Sequence, residues 1–536
     1  MAGASGAVAA YDQVIRNGRV LDGAGNPWVA ADIAIQDGRI AKVGRIEAVG
    51  IREIDATGLY VAPGFIDMMD QSGKILMEHG LAPNKTAMGV TTVIAGELGT
   101  PVPAPQVSDF LDGLERRGVA VNFGTYFSAT HARREVMGDG SGRPSADEMA
   151  RMCEIIATAM QQGCFGITTA LVYAPAAFQD TDELVELARA AGAYGGIYAS
   201  HVRDEAQGLV GAIEEAITIG ERAGVQVEIF HLKAAYRPGA GTLIAEVGRV
   251  IEAARARGVS IAANMYPYVA AATGLEVTAP TWLFADGKQT ALERLRSPAV
   301  RDELKLAVEA GATDDWSNFV EASGGWDNVV LANAYNPEYD RFRFRSLSTI
   351  ARELRQHPAD VAWDIVLAAQ PNRALALYFM MDESDVVSAL RFPWTSIGSD
   401  AAAAAVLGGT DGLGLPHPRS YGTFPRIIAE YVRRRQVLSL PEAVRKMTSW
   451  PAMRMGLDDR GLIKAGLYAD IVVFDLDKID DCASWESPTA AAVGIEHVLV
   501  NGQAVVSDGR PTAATPGIAL RGPGSRRRPP GAAPVD

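Results

Sequence analysis

Short stretches in which apolar and polar residues alternate occupy both ends of this 536-residue chain. DQVIRNGRVLD, AADIAIQDGRIAKVG and REIDATGLYV, all within residues 12–61, are interrupted by Asn-Gly, Asp-Gly and Thr-Gly. Those pairs let a backbone reverse readily, so the segments read as strands joined by tight turns. The texture returns in GLYADIVVFDLD (466–477) and EHVLVNGQAVVSDGR (496–510). Two β-rich ends predict one small β-sandwich domain assembled from residues 1–61 and 461–515.

Residues 62–460 change texture. Eight apolar runs read as buried strands: APGFIDMM (62–69), VTTVIAG (90–96), VAVNFGTYFS (119–128), CFGITTAL (164–171), GGIYASHV (195–202), VQVEIFHLK (225–233), VSIAANMYPY (259–268) and WTSIGSD (394–400). Helical periodicity fills most of the gaps, as in DELVELARAAG and LVGAIEEAITIGERAG. Strands alternating with helices predict the α/β class, as a (β/α)8 TIM-like barrel. About 125 residues separate the last two strands, too many for one loop. They include ALERLRSPAVRDELKLAVEAG, so an insertion or lid is expected over 280–345. The first ten residues, rich in Ala and Gly, are expected to fray, and 516–536 to form a flexible tail.

Composition then narrows the function. A 48% hydrophobic content supports a sizeable core, and a net charge of −14 argues against a nucleic-acid partner. No window approaches the roughly 18 apolar residues that span a bilayer, which argues against a membrane partner. The opening MAGASGAVAAYDQV lacks the basic start of a secretory signal, and Cys153, Cys164 and Cys482 lie far apart with no CxxC. Both features point to a reducing, cytoplasmic setting.

In a barrel of this kind, reactive side chains gather at the C-terminal ends of the strands. Glu97 follows the second strand, His201 and His231 end the fifth and sixth, and Asp400 ends the eighth. Two of only seven histidines thus stand at equivalent positions thirty residues apart, which favours metal binding over two unrelated core histidines. A catalytic divalent ion takes three protein ligands and keeps one position open, and Glu97 is the candidate third ligand. Asp400 suits a base that accepts a proton from activated water and returns it to a leaving nitrogen. For both carboxylates the plainer alternative is a helix N-cap.

With APGFID, GVTTVIAGELG, YASHVRDE, VEIFHLKA, NMYPY, IGSD and LPHPRSYGTFPRII (415–428) in this order, the chain resembles a known group. It is similar, over nearly its full length, to the N-acyl-D-amino-acid deacylases (D-aminoacylases) of the metal-dependent amidohydrolase superfamily. The resemblance implies a zinc held by His201, His231 and a residue after the second strand, with Asp400 as general base. It also implies that Arg419 grips a substrate carboxylate through its planar fork, and that Lys233, Tyr173 and Tyr266 line the acyl-amino-acid pocket.

Two departures from that group matter. In the superfamily APGFID leads into a His-x-His pair, but here Met69 and Gln71 hold its two slots. A thioether and a neutral amide are poor ligands for a borderline or hard divalent metal. The position of the group's strand-two cysteine holds Leu98, next to Glu97. The expectation is therefore one ion, Zn2+ or another divalent metal, on Glu97, His201 and His231, with Met69 and Gln71 lining the substrate pocket. Asp70, offset by one residue, should face the other way by strand alternation, and His131 suits either the pocket or an ordinary loop.

The resulting reading is a metal-dependent hydrolase that cleaves a small-molecule amide, an N-acyl amino acid of D configuration by resemblance. A cyclic amide (hydantoin, imide or lactam) fits the same residues. A metal-free pseudoenzyme serving as a binding module would account for the missing His-x-His pair, but His201, His231, Asp400, Lys233 and Arg419 all stand against it. The sequence leaves a homo-oligomer open.

Overall fold

The computed structural model describes residues 10–313, 316–409 and 417–526. Among these, one compact unit takes residues 10–95, 109–124 and 396–520, and a second takes 96–108, 125–395 and 521–526. The boundaries differ from the domain ends expected at 61 and 461, because the strands Phe65–Asp70 and Val90–Ala95 cluster with the small β-domain.

In the first unit, both ends of the chain share one nine-stranded sheet. Its order runs Arg510–Pro511, Gln503–Ser507, Ile495–Val500, Ile471–Phe474, Tyr60–Pro63, Tyr11–Val20, Val29–Gln36 and Arg39–Gly44, with Gly50–Asp55 also paired to Tyr11–Val20. The seam between the two ends is antiparallel, with Val472 opposite Ala62. Asp37 and Gly38, at φ 51° and 75°, make the tight turn that their Asp-Gly sequence predicts. Strand alternation sends Ile15, Ile33, Ile35, Ile471, Val473 and Leu499 into one core, and Val14 and Ala34 into another with Ile46. Phe65–Asp70 and Val90–Ala95 pair in parallel, and every residue in both is buried. Burial on both faces explains why they read as unbroken apolar runs. Residues 516–520, expected to begin a tail, instead pair with the backbone of Val119 and Phe123.

The second unit carries a run of parallel strands in the order Phe127–Ser128, Gly166–Ala170, Ile197–His201, Val227–Ile229 and Ile261–Met265. The helices Ala146–Gln162, Thr181–Gly192, Leu209–Ala223 and Leu243–Ala256 separate them in the chain. Ser145 and Glu148 close a reciprocal capping box on the first helix, and Asp180 caps the second. The register sets Ala170 opposite His201 and Ser200 opposite Ile229, so neighbouring strands end level with one another. The expected insertion is partly helical, at Lys288–Arg294 and Pro298–Ala310. Its strand Val329–Asn333 joins Ala271–Gly274 and Leu375–Tyr378 in a small antiparallel sheet with Leu375–Tyr378 at the centre. Cys153, Cys164 and Cys482 are unpaired. No described helix is long and apolar enough to cross a membrane.

Candidate metal centre

Three side chains from three strand ends meet in the second unit. His201 is the last residue of Ile197–His201, and His231 lies two residues past Val227–Ile229. Glu97 stands in a turn closed by the Gly99 amide donating to the Gly96 carbonyl at 2.8 Å. Gly99 has φ 72°, and a Cβ there would collide with the backbone nitrogen of Ser128, so the turn requires glycine. Leu98 points outward at 68% exposure, whereas Glu97 is buried. His231 adopts φ 35°, a left-handed conformation that a side chain with a Cβ rarely takes. Its amide donates to Asn264 Oδ1 at 2.9 Å, a contact that helps hold the uncommon backbone in place.

Glu97 Oε1 bonds His201 Nδ1 and lies 3.9 Å from His231 Nε2. One donor atom from each of the three residues falls within 4.8 Å of the others. The imidazoles stand edge to face, with centroids 4.5 Å apart and planes at 88°. Burial opposes the charged form of Glu97, but attraction to His201 and hydrogen bonds from both histidines outweigh it and hold the carboxyl well below its usual range. Burial likewise opposes charge on His201, yet the nearby Glu205 and Glu97 carboxylates push it up to about 9. Two nitrogens and one anionic oxygen, buried and convergent, match the three-ligand pattern of a catalytic divalent site.

Glu205, which the sequence reading passed over, sits on the opposite side of both imidazoles. Its signal was present in YASHVRDE, four residues after His201, but a carboxylate at that point looks like any charge near a helix start. The Lys233 ammonium, expected to line the substrate pocket, bonds Glu205 and lies 2.7 Å from His231 Nδ1. Tyr173 packs edge-on against His201 at 5.4 Å, and its hydroxyl meets Thr273 Oγ1 at 2.9 Å. Burial raises the Tyr173 phenol, so it stays protonated. Arg373, just before the strand Leu375–Tyr378, reaches the same place, lying 5.6 Å from the Tyr173 ring and pairing with Glu276 at 2.6 Å. Tyr266 lies 6.3 Å from His231. His131 is half-buried on the helix Ala129–Met137 and stacks on Phe127.

The first unit gathers Asp400, Arg419 and Gln71. Asp400 Oδ2 pairs with the Arg419 guanidinium at 2.7 Å, and Oδ1 accepts from Gln71 Nε2 at 3.2 Å. Its backbone, at φ 48°, donates to the Met69 carbonyl at 2.8 Å. The Met69 side chain is fully buried. Asp70 points away from this group: it pairs with the buried Lys85 at 2.7 Å and accepts from Ser72 Oγ at 2.7 Å. Leu415 and Pro416 of the LPHPR motif lie outside the described residues.

The model of the amidohydrolase family matches residues 52–506. The chain belongs to this family. The amidohydrolase is 34% identical to the D-aminoacylase of Alcaligenes xylosoxydans xylosoxydans over 518 residues, covering 92% of this chain and 94% of that one. A crystal structure of N-acyl-D-glutamate deacylase from Bordetella bronchiseptica, complexed with zinc and a phosphonate that mimics the tetrahedral intermediate, aligns at TM-score 0.78 and 29% identity. That alignment covers 95% of this chain and 99% of that one. A solved D-aminoacylase whose binuclear centre is described by one-metal activation and second-metal attenuation also aligns at 0.78, with 33% identity over 96% of this chain and all of that one. The fold class is accordingly α/β, a TIM-barrel fold with an additional sheet domain. This amidohydrolase is a metal-dependent enzyme related to the N-acyl-D-amino-acid deacylases, acting on C–N bonds of small-molecule amides.

Proposed function

We propose that this amidohydrolase removes the acyl group from an N-acyl-D-amino acid, with one zinc ion on Glu97, His201 and His231. The convergence of those three donor atoms carries the proposal, because no fourth His, Cys, Asp or Glu joins the group among the described residues. Met69 and Gln71, in the slots where a second ion would find its histidines, support a single ion.

Zinc, when bound, supplies Lewis acidity that lowers the pKa of water and polarises a carbonyl. The protein's own groups do the rest. Asp400 accepts the proton of the attacking water and delivers it to the amide nitrogen as the C–N bond breaks. Gln71 and Arg419 each donate to one Asp400 oxygen and so fix the carboxylate's orientation. A guanidinium has five N–H donors, which lets Arg419 serve the substrate's carboxylate as well. Tyr173 and Tyr266 set aromatic walls beside the two imidazoles for an acyl-amino-acid substrate. A cytoplasmic setting belongs to the same reading, supported by three unpaired cysteines.

The test pairs metal analysis of the purified enzyme with turnover of N-acetyl-D-amino acids, N-acetyl-L-amino acids and a hydantoin. One equivalent of zinc and a preference for the D series are expected. Turnover of the hydantoin alone, or a metal-free protein that added zinc does not activate, overturns the proposal.

A further inference from the structure

We infer that Glu205 is a positioning residue that holds both candidate ligand imidazoles by their outward nitrogens, so that one buried carboxylate orients the whole metal site. The inference rests on the reading of Glu97, His201 and His231 as metal ligands. The two rings use opposite edges. His201 turns Nδ1 to Glu97, which leaves Nε2 3.3 Å from Glu205 Oε2. His231 turns Nε2 towards Glu97, at 3.9 Å, which leaves Nδ1 3.0 Å from Glu205 Oε1. Each oxygen of a single carboxylate thus lies at ion-pair distance from the remaining nitrogen of a different ring; the hydrogen bond at His231 Nδ1 is to the Lys233 ammonium, and His201 Nε2 makes none among the described residues.

Glu205 is itself held firmly. It is 6% exposed, and its carbonyl accepts the Ala235 amide at 2.7 Å, tying the segment after His201 to the segment after His231. The Lys233 ammonium bonds the Glu205 carboxylate and sits 2.7 Å from His231 Nδ1. A cation therefore already occupies the Glu205 side of the imidazole pair, and repulsion directs a divalent ion to the Glu97 side. Glu97 and Glu205 together bring two negative charges and Lys233 one positive, so the net charge around the two rings attracts a cation. A carboxylate behind a ligating imidazole fixes its tautomer and ring angle and makes the inner nitrogen a stronger donor. Here one carboxylate acts on two rings at once.

Cobalt(II) is the probe, because its visible spectrum reports ligand geometry independently of turnover. Dissociation constants from chelator competition and absorption spectra are compared for the whole chain and for Glu97→Gln, Glu205→Gln, Glu205→Asp, Lys233→Met and the Glu205→Gln/Lys233→Met pair. Glu205→Gln is expected to weaken cobalt binding about 10- to 100-fold and to shift the spectrum of the loaded protein. Glu205→Asp, which keeps the charge, should recover part of that loss. The double variant should stay as weak as Glu205→Gln. If it returns to wild-type affinity, Glu205 only neutralises Lys233 and the inference falls. Unchanged affinity and spectrum in Glu205→Gln, alongside lost binding in Glu97→Gln, also overturns it while leaving the metal site standing. Undiminished binding in Glu97→Gln overturns the metal reading itself.

Discussion

Asp400 has both oxygens engaged in the substrate-free protein, one by a guanidinium and one by an amide. Gln71, in the slot of the second histidine of His-x-His, supplies a neutral donor, and Arg419 supplies a positive charge. As the proposed base, Asp400 contributes a carboxylate that Asn cannot replace, while the metal ligands are untouched. Asp400→Asn is therefore expected to keep its full metal content and to lose about 100- to 10,000-fold in kcat, measured on the metal-loaded protein. Near-normal turnover in that variant would remove Asp400 from the chemistry. The left-handed backbones of Asp400 and His231 belong with the same reading, since uncommon conformations persist where the surroundings hold them.

Two buried lysines show how an element's neighbours decide the fate of one charge. Lys85, on the short helix Pro83–Ala87, is fully buried but has Asp67 at 2.9 Å and Asp70 at 2.7 Å, with Ser399 Oγ and the Ala401 carbonyl completing its partners. Burial works against its charge, and the two carboxylates more than restore it, so its pKa is raised. Lys85→Met leaves two buried carboxylates without their cation and should cost about 3–5 kcal/mol of stability, measured by urea unfolding. Lys446, on the helix Leu440–Met447, is just as buried, but Glu442 lies 3.8 Å away and already pairs with Arg445. Burial brings Lys446 down to about 8. An unfolded lysine titrates near 10.4, so the folded state bears the cost of the ammonium in full below about pH 8 and is relieved of it above about pH 10.4. Lys446→Met should stabilise the protein at pH 7, by at most about 3 kcal/mol, and the gain should vanish as pH rises past about 10.4. A gain equal at both pH values would show that charge is not its source.

At the scale of the whole molecule, the three candidate ligands come from segments far apart in the chain, with Glu97 and His201 104 positions apart. An ion bound there favours the folded over the unfolded chain, because the unfolded chain cannot assemble the site. Chelation is expected to abolish activity and lower the unfolding temperature together, and zinc to restore both. The linkage amounts to about 2.7 kcal/mol when free zinc is a hundredfold above its dissociation constant. A thermal transition indifferent to chelator and zinc would mean that the three donors do not hold a metal.

The sequence by itself determined the elements and the principal donors. Strands buried on both faces must be apolar throughout, so all eight runs from APGFIDMM to WTSIGSD contain strands in the structure. Strand ends in such a fold point at one locality, which is why Glu97, His201 and His231 were legible as a set before their distances were known. Only the tertiary structure decided which groups stand behind them. Glu205 looks from sequence like a solvated charge, Lys233 like a pocket lysine, and Gln71 like a bare replacement. Each takes its role from partners that local spacing does not encode, as Gln71 does from Asp400, 329 positions away. The same holds for residues 516–520 and for the small sheet that the insertion strand Val329–Asn333 joins, whose pairing depends on distant backbone. Hydrophobic periodicity records how one element is buried; it carries no information on which polar group will be brought opposite another when the elements assemble.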